Sequence, residues 1–319
     1  MISRRLVRIK AMQTYYAFLQ NSGDVSSDDV WRELERNIEK SHQLYVYLHC
    51  LIIALADFAE EKIEIAKNKH IPTFNDLNPN TRFIDNKVIA AFRNNSAISK
   101  LFSNSDYNWE EYPDFIKNSW TQIINSPFYQ EYMQKETIEL KDDIKVITKI
   151  INKTLTSNPR LDEILEEKSI YWNDDLEFLL SNIIQNIKKL EEPEEEDEVI
   201  TYRLQRLFKN TADEKFARDL IRKTSIHAAE YDKIILDSLK KWELERVAFT
   251  DRILLHLALC EMNEFPDMPV KVTINEYLDI AKFYSTDKSS IFINGILDRI
   301  YVQLRNENKL NKKGLGLVE

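Results

Sequence analysis

Val247-Ala248-Phe249-Thr250-Asp251-Arg252 runs into Ile253-Leu254-Leu255-His256-Leu257-Ala258-Leu259-Cys260-Glu261-Met262, and this stretch decides the fold. From Ile253 onward it is apolar on nearly every face, the pattern of a helix buried inside a bundle. Pro266 and Pro269 stop it, because proline has no amide proton to continue the ladder. Thr273-Ile274-Asn275-Glu276 reads as a capping box, a hydroxyl and a carboxylate three residues apart that satisfy the first free amides. Ile274, Leu278 and Ala281 follow at helical spacing. Ser289 or Ser290 can cap a last helix, with Phe292, Ile296 and Ile300 on one stripe and Leu304 one turn on.

Only four glycines occur in 319 residues, at positions 23, 295, 314 and 316. So few disfavour tight-turned β structure and predict an all-α fold. They also exclude phosphate loops and dinucleotide fingerprints, which need clustered glycine for close backbone approach. Cys50 and Cys260 sit in apolar helical runs without metal or redox spacing, which predicts buried thiols. His42, His49, His70, His227 and His256 are dispersed and complete no ligand set, so no metal and no cofactor are expected. The basic start gives way to Gln13, Thr14 and Tyr15 rather than to an apolar secretory core. Cys50 to Ala56, the most hydrophobic window, is too short to span a bilayer. A soluble cytoplasmic protein without membrane contact is the expectation.

Residues 1–20 hold Arg4, Arg5, Arg8 and Lys10 and no acid, in a chain of net charge −9. Arg4 and Arg8 are a turn apart with Arg5 adjacent, so three guanidiniums project from the first two helical turns. A solvated helix start is the plain reading. Cations there oppose the helix dipole, however, and guanidiniums beside aromatics hold phosphates and stack bases. Asn21 to Ser27 carries turn chemistry, and a long helix is expected from Trp31 to about Asn68. Helices are further expected at 86–103, from Phe115 to Ile124, after Ser126-Pro127, at 139–156 and at about 160–190. Glu191 to Glu198 holds seven acids in eight residues, the mark of an exposed linker.

Several motifs resemble the NusB family of bacterial transcription antitermination factors. In the C-terminal half these are Glu245-Arg246, the apolar helix ending in Glu261, Lys271 to Glu276, Ala281-Lys282 and Phe292 to Asp298. Asp213 to Arg222 and Ala228 to Trp242 are similar to that family's middle helices. Arg4 to Arg8 with Ala11 to Tyr16 resembles its arginine-rich first helix, departing at Leu6, where a further basic residue is frequent. The resemblance thus covers about residues 1–22 and 205–305. It implies a discontinuous NusB-like domain (1–24 and 200–306), an inserted helical domain (25–190), an acidic linker (191–199) and a flexible tail (307–319).

By the same resemblance the chain is an adaptor and not an enzyme. It would pair with a small-subunit ribosomal protein (NusE), bind single-stranded leader RNA of ribosomal operons and engage the RNA polymerase elongation complex. Arg4, Arg5, Arg8, Tyr16, Lys288 and Phe292 would touch RNA, and Asp251 would face the ribosomal protein. Core packing for Phe292 and a helix cap for Asp251 are the structural alternatives. Glu276 is read as closing the capping box, and Gly295 as letting two helices approach closely. A protein-binding scaffold acting through its insertion, with little RNA affinity, is the rival function. An RNA cytosine methyltransferase would need a glycine-rich cofactor loop and a nucleophilic cysteine, which the sequence lacks.

Overall fold

A computed structural model describes residues 3–20, 26–104, 107–192, 199–208, 210–239 and 247–317. Most of the Asn21–Ser27 break, the acidic run from residue 193 to 198, and Glu245-Arg246 lie outside the described residues. The chain forms two compact units, residues 1–39 with 206–319, and residues 40–205. As the glycine count predicts, regular structure among the described residues is helical throughout.

α1 (Arg4–Gln20) opens the first unit, and α2 (Ser27–Lys67) gives it residues 27–39. The rest of α2 opens the second unit, followed by α3 (Phe74–Leu77), α4 (Lys87–Arg93), α5 (Ser96–Phe102) and α6 (Pro113–Ile124). Next come α7 (Pro127–Gln134), α8 (Leu140–Ile150, its end widening into a π turn), α9 (Pro159–Lys168) and α10 (Leu176–Ile187). The first unit resumes with α11 (Thr211–Ile226), α12 (Ala228–Ser238), α13 (Phe249–Glu264), α14 (Val270–Tyr284) and α15 (Ser289–Asn306).

Two expected helices are broken by side-chain caps. At 86–103, Asn95 accepts hydrogen bonds from the amides of Ala97 and Ile98, starting α5 afresh after α4. At 160–190, Ser169 is extended and caps a single 3-10 turn, Ile170–Trp172. That break buries Trp172, whose indole donates to the Lys40 carbonyl at 2.8 Å. The ring then stacks on Tyr47, which Trp109 covers at 4.3 Å between centroids.

The unit boundaries differ from the expected domain limits of 25, 190 and 200. Trp31, Leu34 and Ile38 of α2 are buried, and the Arg218 guanidinium sits 5.0 Å over the Trp31 ring, so residues up to 39 belong to the first unit. Tyr202 is buried against His49 and Phe92, which places the extended segment before residue 206 in the second unit. α2 is long and apolar enough by length and composition to cross a membrane, although Cys50–Ala56 alone is short. In this structure 72% of its apolar window is buried within the protein.

α13 is the core of the first unit, with every residue from Ile253 to Met262 buried. α1, α11, α12, α14 and α15 all pack on it. Three expectations around it are corrected. Proline's fixed φ lets α14 begin directly after Pro269, so Thr273 and Glu276 lie inside the helix and form no capping box. A methyl on Gly295 would lie 3.9 Å from its nearest neighbour outside the local helix backbone, the Arg299 guanidinium, so that glycine is not required for close helix approach. The tail is not loose: α15 ends in a Schellman turn, with Asn308 at φ 54° and Lys309 N donating to Leu304 O at 2.9 Å. The chain then folds back, and Lys313 N donates to Pro266 O at 3.0 Å.

Candidate nucleic-acid interface

The three arginines on α1 differ sharply in surroundings. Arg8 is 3% exposed, and its fork closes on Glu261 of α13, Nε to Oε2 at 2.8 Å and Nη2 to Oε1 at 2.7 Å. Burial works against the guanidinium charge, but hydrogen bonds and charge from Glu261 outweigh it and raise its pKa further. Glu261 also accepts from Thr273 Oγ1 at 2.9 Å and Tyr277 OH at 3.3 Å. A buried carboxylate with four donors is one of the few ways a charge survives in a core.

Arg5 is 49% exposed and grips α14, donating to both Glu276 oxygens at 3.0 Å and to Asp279 Oδ2 at 2.9 Å. The Glu276 hydrogen bond leads the causes that raise its pKa. Arg4, 43% exposed, donates to Asp213 of α11 at 2.8 Å and lies 5.1 Å over the Phe216 ring. Arg8 covers the same ring at 5.3 Å. Arg4 and Arg5 therefore present half-open guanidiniums on a face whose geometry Arg8 fixes.

Tyr16 is 42% exposed and packs edge-on against Phe249 at 5.0 Å. It sits on α1 about 18 Å along the axis from Arg4, at 1.5 Å per residue. Lys288 is exposed at the N-cap position of α15, and Phe292 is half-buried one turn later, its amide bonded to the Lys288 carbonyl. Asp279 and Lys282 of α14 and Ser290, Ile291 and Asn294 of α15 line an open groove of about 490 Å³. Through Asp279 the Arg5 side chain reaches the groove that the neighbours of Phe292 also line.

Asp251 is 4% exposed, and its oxygens accept from Ser285 at 2.6 Å and Ser289 at 2.9 Å. It clasps the turn between α14 and α15, directly beside Lys288, and is turned inward rather than out to a partner. Ser289, foreseen as a cap, is committed to this clasp. Asp213, Phe216, Glu261 and Asp279 were not foreseen as site residues. Glu261 could have been, since a lone carboxylate in a run of buried side chains requires a buried cation.

Charge is divided between the units. Residues 40–205 hold 19 Lys and Arg against 29 Asp and Glu, while the remaining residues hold 25 against 24. The acidic excess of the whole chain thus lies in the second unit. The unit carrying α1 is nearly neutral and opposes nucleic acid far less than the whole-chain charge suggests.

Residues 176–302 match the model of the NusB family. The chain carries a NusB family domain. The NusB match begins at α10 and leaves α1 outside it. The chain is 42% identical over 103 residues to the transcription antitermination protein NusB of Salinibacter ruber, covering 32% of this chain and 64% of that protein. It is 47% identical over 90 residues to NusB of Chloroherpeton thalassium, covering 28% of this chain and 43% of the relative. NusB of Myxococcus xanthus is 40% identical over 90 residues, covering 28% and 64% respectively. The chain spans less than two thirds of the length of each of these NusB relatives.

Proposed function

We propose that this chain is a non-catalytic, cytoplasmic transcription antitermination factor. It pairs with a small-subunit ribosomal protein (NusE), binds single-stranded leader RNA of ribosomal operons and engages the RNA polymerase elongation complex. The observation that carries this reading is the NusB match over residues 176–302, joined to half-open Arg4 and Arg5 on the helix that packs on the matched α13. Residues 1–39 and 206–319 act as one discontinuous NusB-like domain, and residues 40–205 as an inserted one.

In this reading Arg4 and Arg5 meet phosphates, because a guanidinium fork matches phosphate oxygens. Tyr16 and Phe292 offer ring faces to unstacked bases, and Lys288 adds charge at the α15 N-terminus. Arg8 contributes by holding α1 on Glu261, and Asp251 by holding the turn that carries Lys288.

The competing scaffold reading is favoured by one observation: all three arginines already face carboxylates. Fluorescence anisotropy with labelled leader RNA separates the two. The native chain with its ribosomal partner is expected to bind, and Arg5→Ala to weaken binding about tenfold. Absence of binding at low salt, even with the partner present, selects the scaffold.

A further inference from the structure

The last turns of α2 meet α3, α6 and α7 around a hollow of about 220 Å³ in the second unit. Three rings stand in its wall, Phe83, Trp120 and Tyr129, their centroids 5.2 to 5.6 Å apart. Ile63, Ala66 and Pro79 add apolar surface. The space is below the roughly 300–1,000 Å³ of sites for drug-sized molecules and suits one large side chain.

Two donors in this wall are unspent. The indoles of Trp109 and Trp172, in the same unit, donate to carbonyls at 3.3 and 2.8 Å. Among the described residues the Trp120 indole has no such acceptor. Tyr129 is 7% exposed, and among the described residues its hydroxyl makes no hydrogen bond. Burial alone raises its pKa, with no hydrogen bond among the causes. A buried donor left unpaired costs free energy, so a fitting occupant brings acceptors as well as apolar bulk. The charged lining residues set a further condition. Asp76 is engaged by Thr73 and Lys69, and the Lys62 ammonium, 4.7 Å over the Phe58 ring, opposes entry of a second cation.

The surroundings select the kind of partner. Ile71, Phe74 and Leu77 are exposed beside the lining residues of α3, and Ile65 is exposed beside Ala66. An apolar skirt of this kind suits a protein surface and offers nothing to a sugar–phosphate strand. The unit holds 29 acids against 19 bases, and Glu60, Glu61 and Glu64 are exposed on the turns of α2 that carry Ala59 and Ile63. That charge repels nucleic acid and a second copy of the unit, and it attracts a basic chain.

We propose that this hollow docks a basic segment of a partner protein, seating one large apolar side chain against the three rings while backbone carbonyls accept from Tyr129 and Trp120. It lies outside the NusB-matched residues, and it holds whichever reading of α1 is correct.

A synthetic array of capped peptides, probed with the full chain, tests it. The central residue is phenylalanine, leucine or alanine, and the flanks carry lysine or glutamate. Retention of lysine-flanked phenylalanine or leucine peptides is expected, with loss on alanine or glutamate. Calorimetry on the strongest peptide should show affinity about tenfold lower in Ala66→Leu, which fills the hollow, and about threefold to tenfold lower in Tyr129→Phe, which removes only the hydroxyl. Ala66 is half-buried on a helix that leucine favours, so the variant keeps the fold, which circular dichroism verifies. Equal peptide affinity in the native chain and Ala66→Leu, or no retention at low salt, overturns the proposal. So does a single-stranded RNA oligonucleotide whose binding Ala66→Leu abolishes, which assigns the hollow to a base, or a dimer in sedimentation that the same variant dissolves, which assigns it to a second copy.

Discussion

Arg8 Nη2 lies 2.7 Å from Glu261 Oε1, and this buried pair joins α1 to the helix at the centre of its unit across more than two hundred residues of sequence. Removing one partner strands the other in the core. Arg8→Ala is expected to cost about 3–5 kcal/mol, because Glu261 is left uncompensated. Arg5→Ala, at a half-exposed position, is expected to cost less than about 1 kcal/mol. Urea unfolding of both variants checks the contrast, and equal losses would contradict it.

Much of this was legible in residue order. The all-α class followed from glycine scarcity, and the buried central helix from the run Ile253 to Met262. What escaped were effects of long-range pairing. Glu276 carries the spacing of a capping box, but Arg5 and Arg8 recruit it from another helix and Pro269 starts α14 earlier. Nothing local tells that Ser169 breaks a helix, since the gain is the burial of Trp172 against Tyr47. Asp251 read equally as cap or interface because its partners, Ser285 and Ser289, lie more than thirty residues away.

Two glycines should respond in opposite directions. Gly295→Ala brings a methyl into ordinary contact, 3.9 Å from the Arg299 guanidinium, inside α15 and is expected to stabilise by about 0.5–1 kcal/mol, the helix preference of alanine over glycine. Gly316→Ala drives a methyl into the Pro266 carbonyl and is expected to release the tail. Hydrogen exchange at the Lys313 and Gly316 amides, both bonded in the native structure, reports the release.

Acid should weaken the second unit through His49. Burial is the leading cause that depresses its pKa to about 3, and its ring is held between the Tyr45 carbonyl and the Tyr202 hydroxyl. The unfolded chain, with a histidine pKa near 6.5, binds the proton first, so stability is full above that value and falls as pH drops toward 3. Burial likewise lowers the His42 pKa, with the same sign. Three of the five tryptophans lie in this unit, so fluorescence-monitored denaturation across pH 7 to 4 reads the slope. His49→Gln should flatten it.

Carboxylates that hold the exposed arginines compete with phosphate for the same donors. Asp279→Asn removes one acid facing Arg5 while Glu276 keeps the side chain oriented. Leader RNA affinity is therefore expected to rise by about three- to tenfold, from the lost competition and like-charge repulsion. Unchanged affinity in a chain that binds RNA would show that Arg5 does not contact phosphate.

The salt dependence of leader-RNA affinity, measured for the native chain and Arg5→Ala in the presence of the ribosomal partner, tests the central claim most directly. Loss of one phosphate contact to a single strand lowers the slope of log affinity against log salt by about 0.7. The account predicts that decrease for Arg5→Ala. Identical slopes and affinities in the two proteins would contradict it.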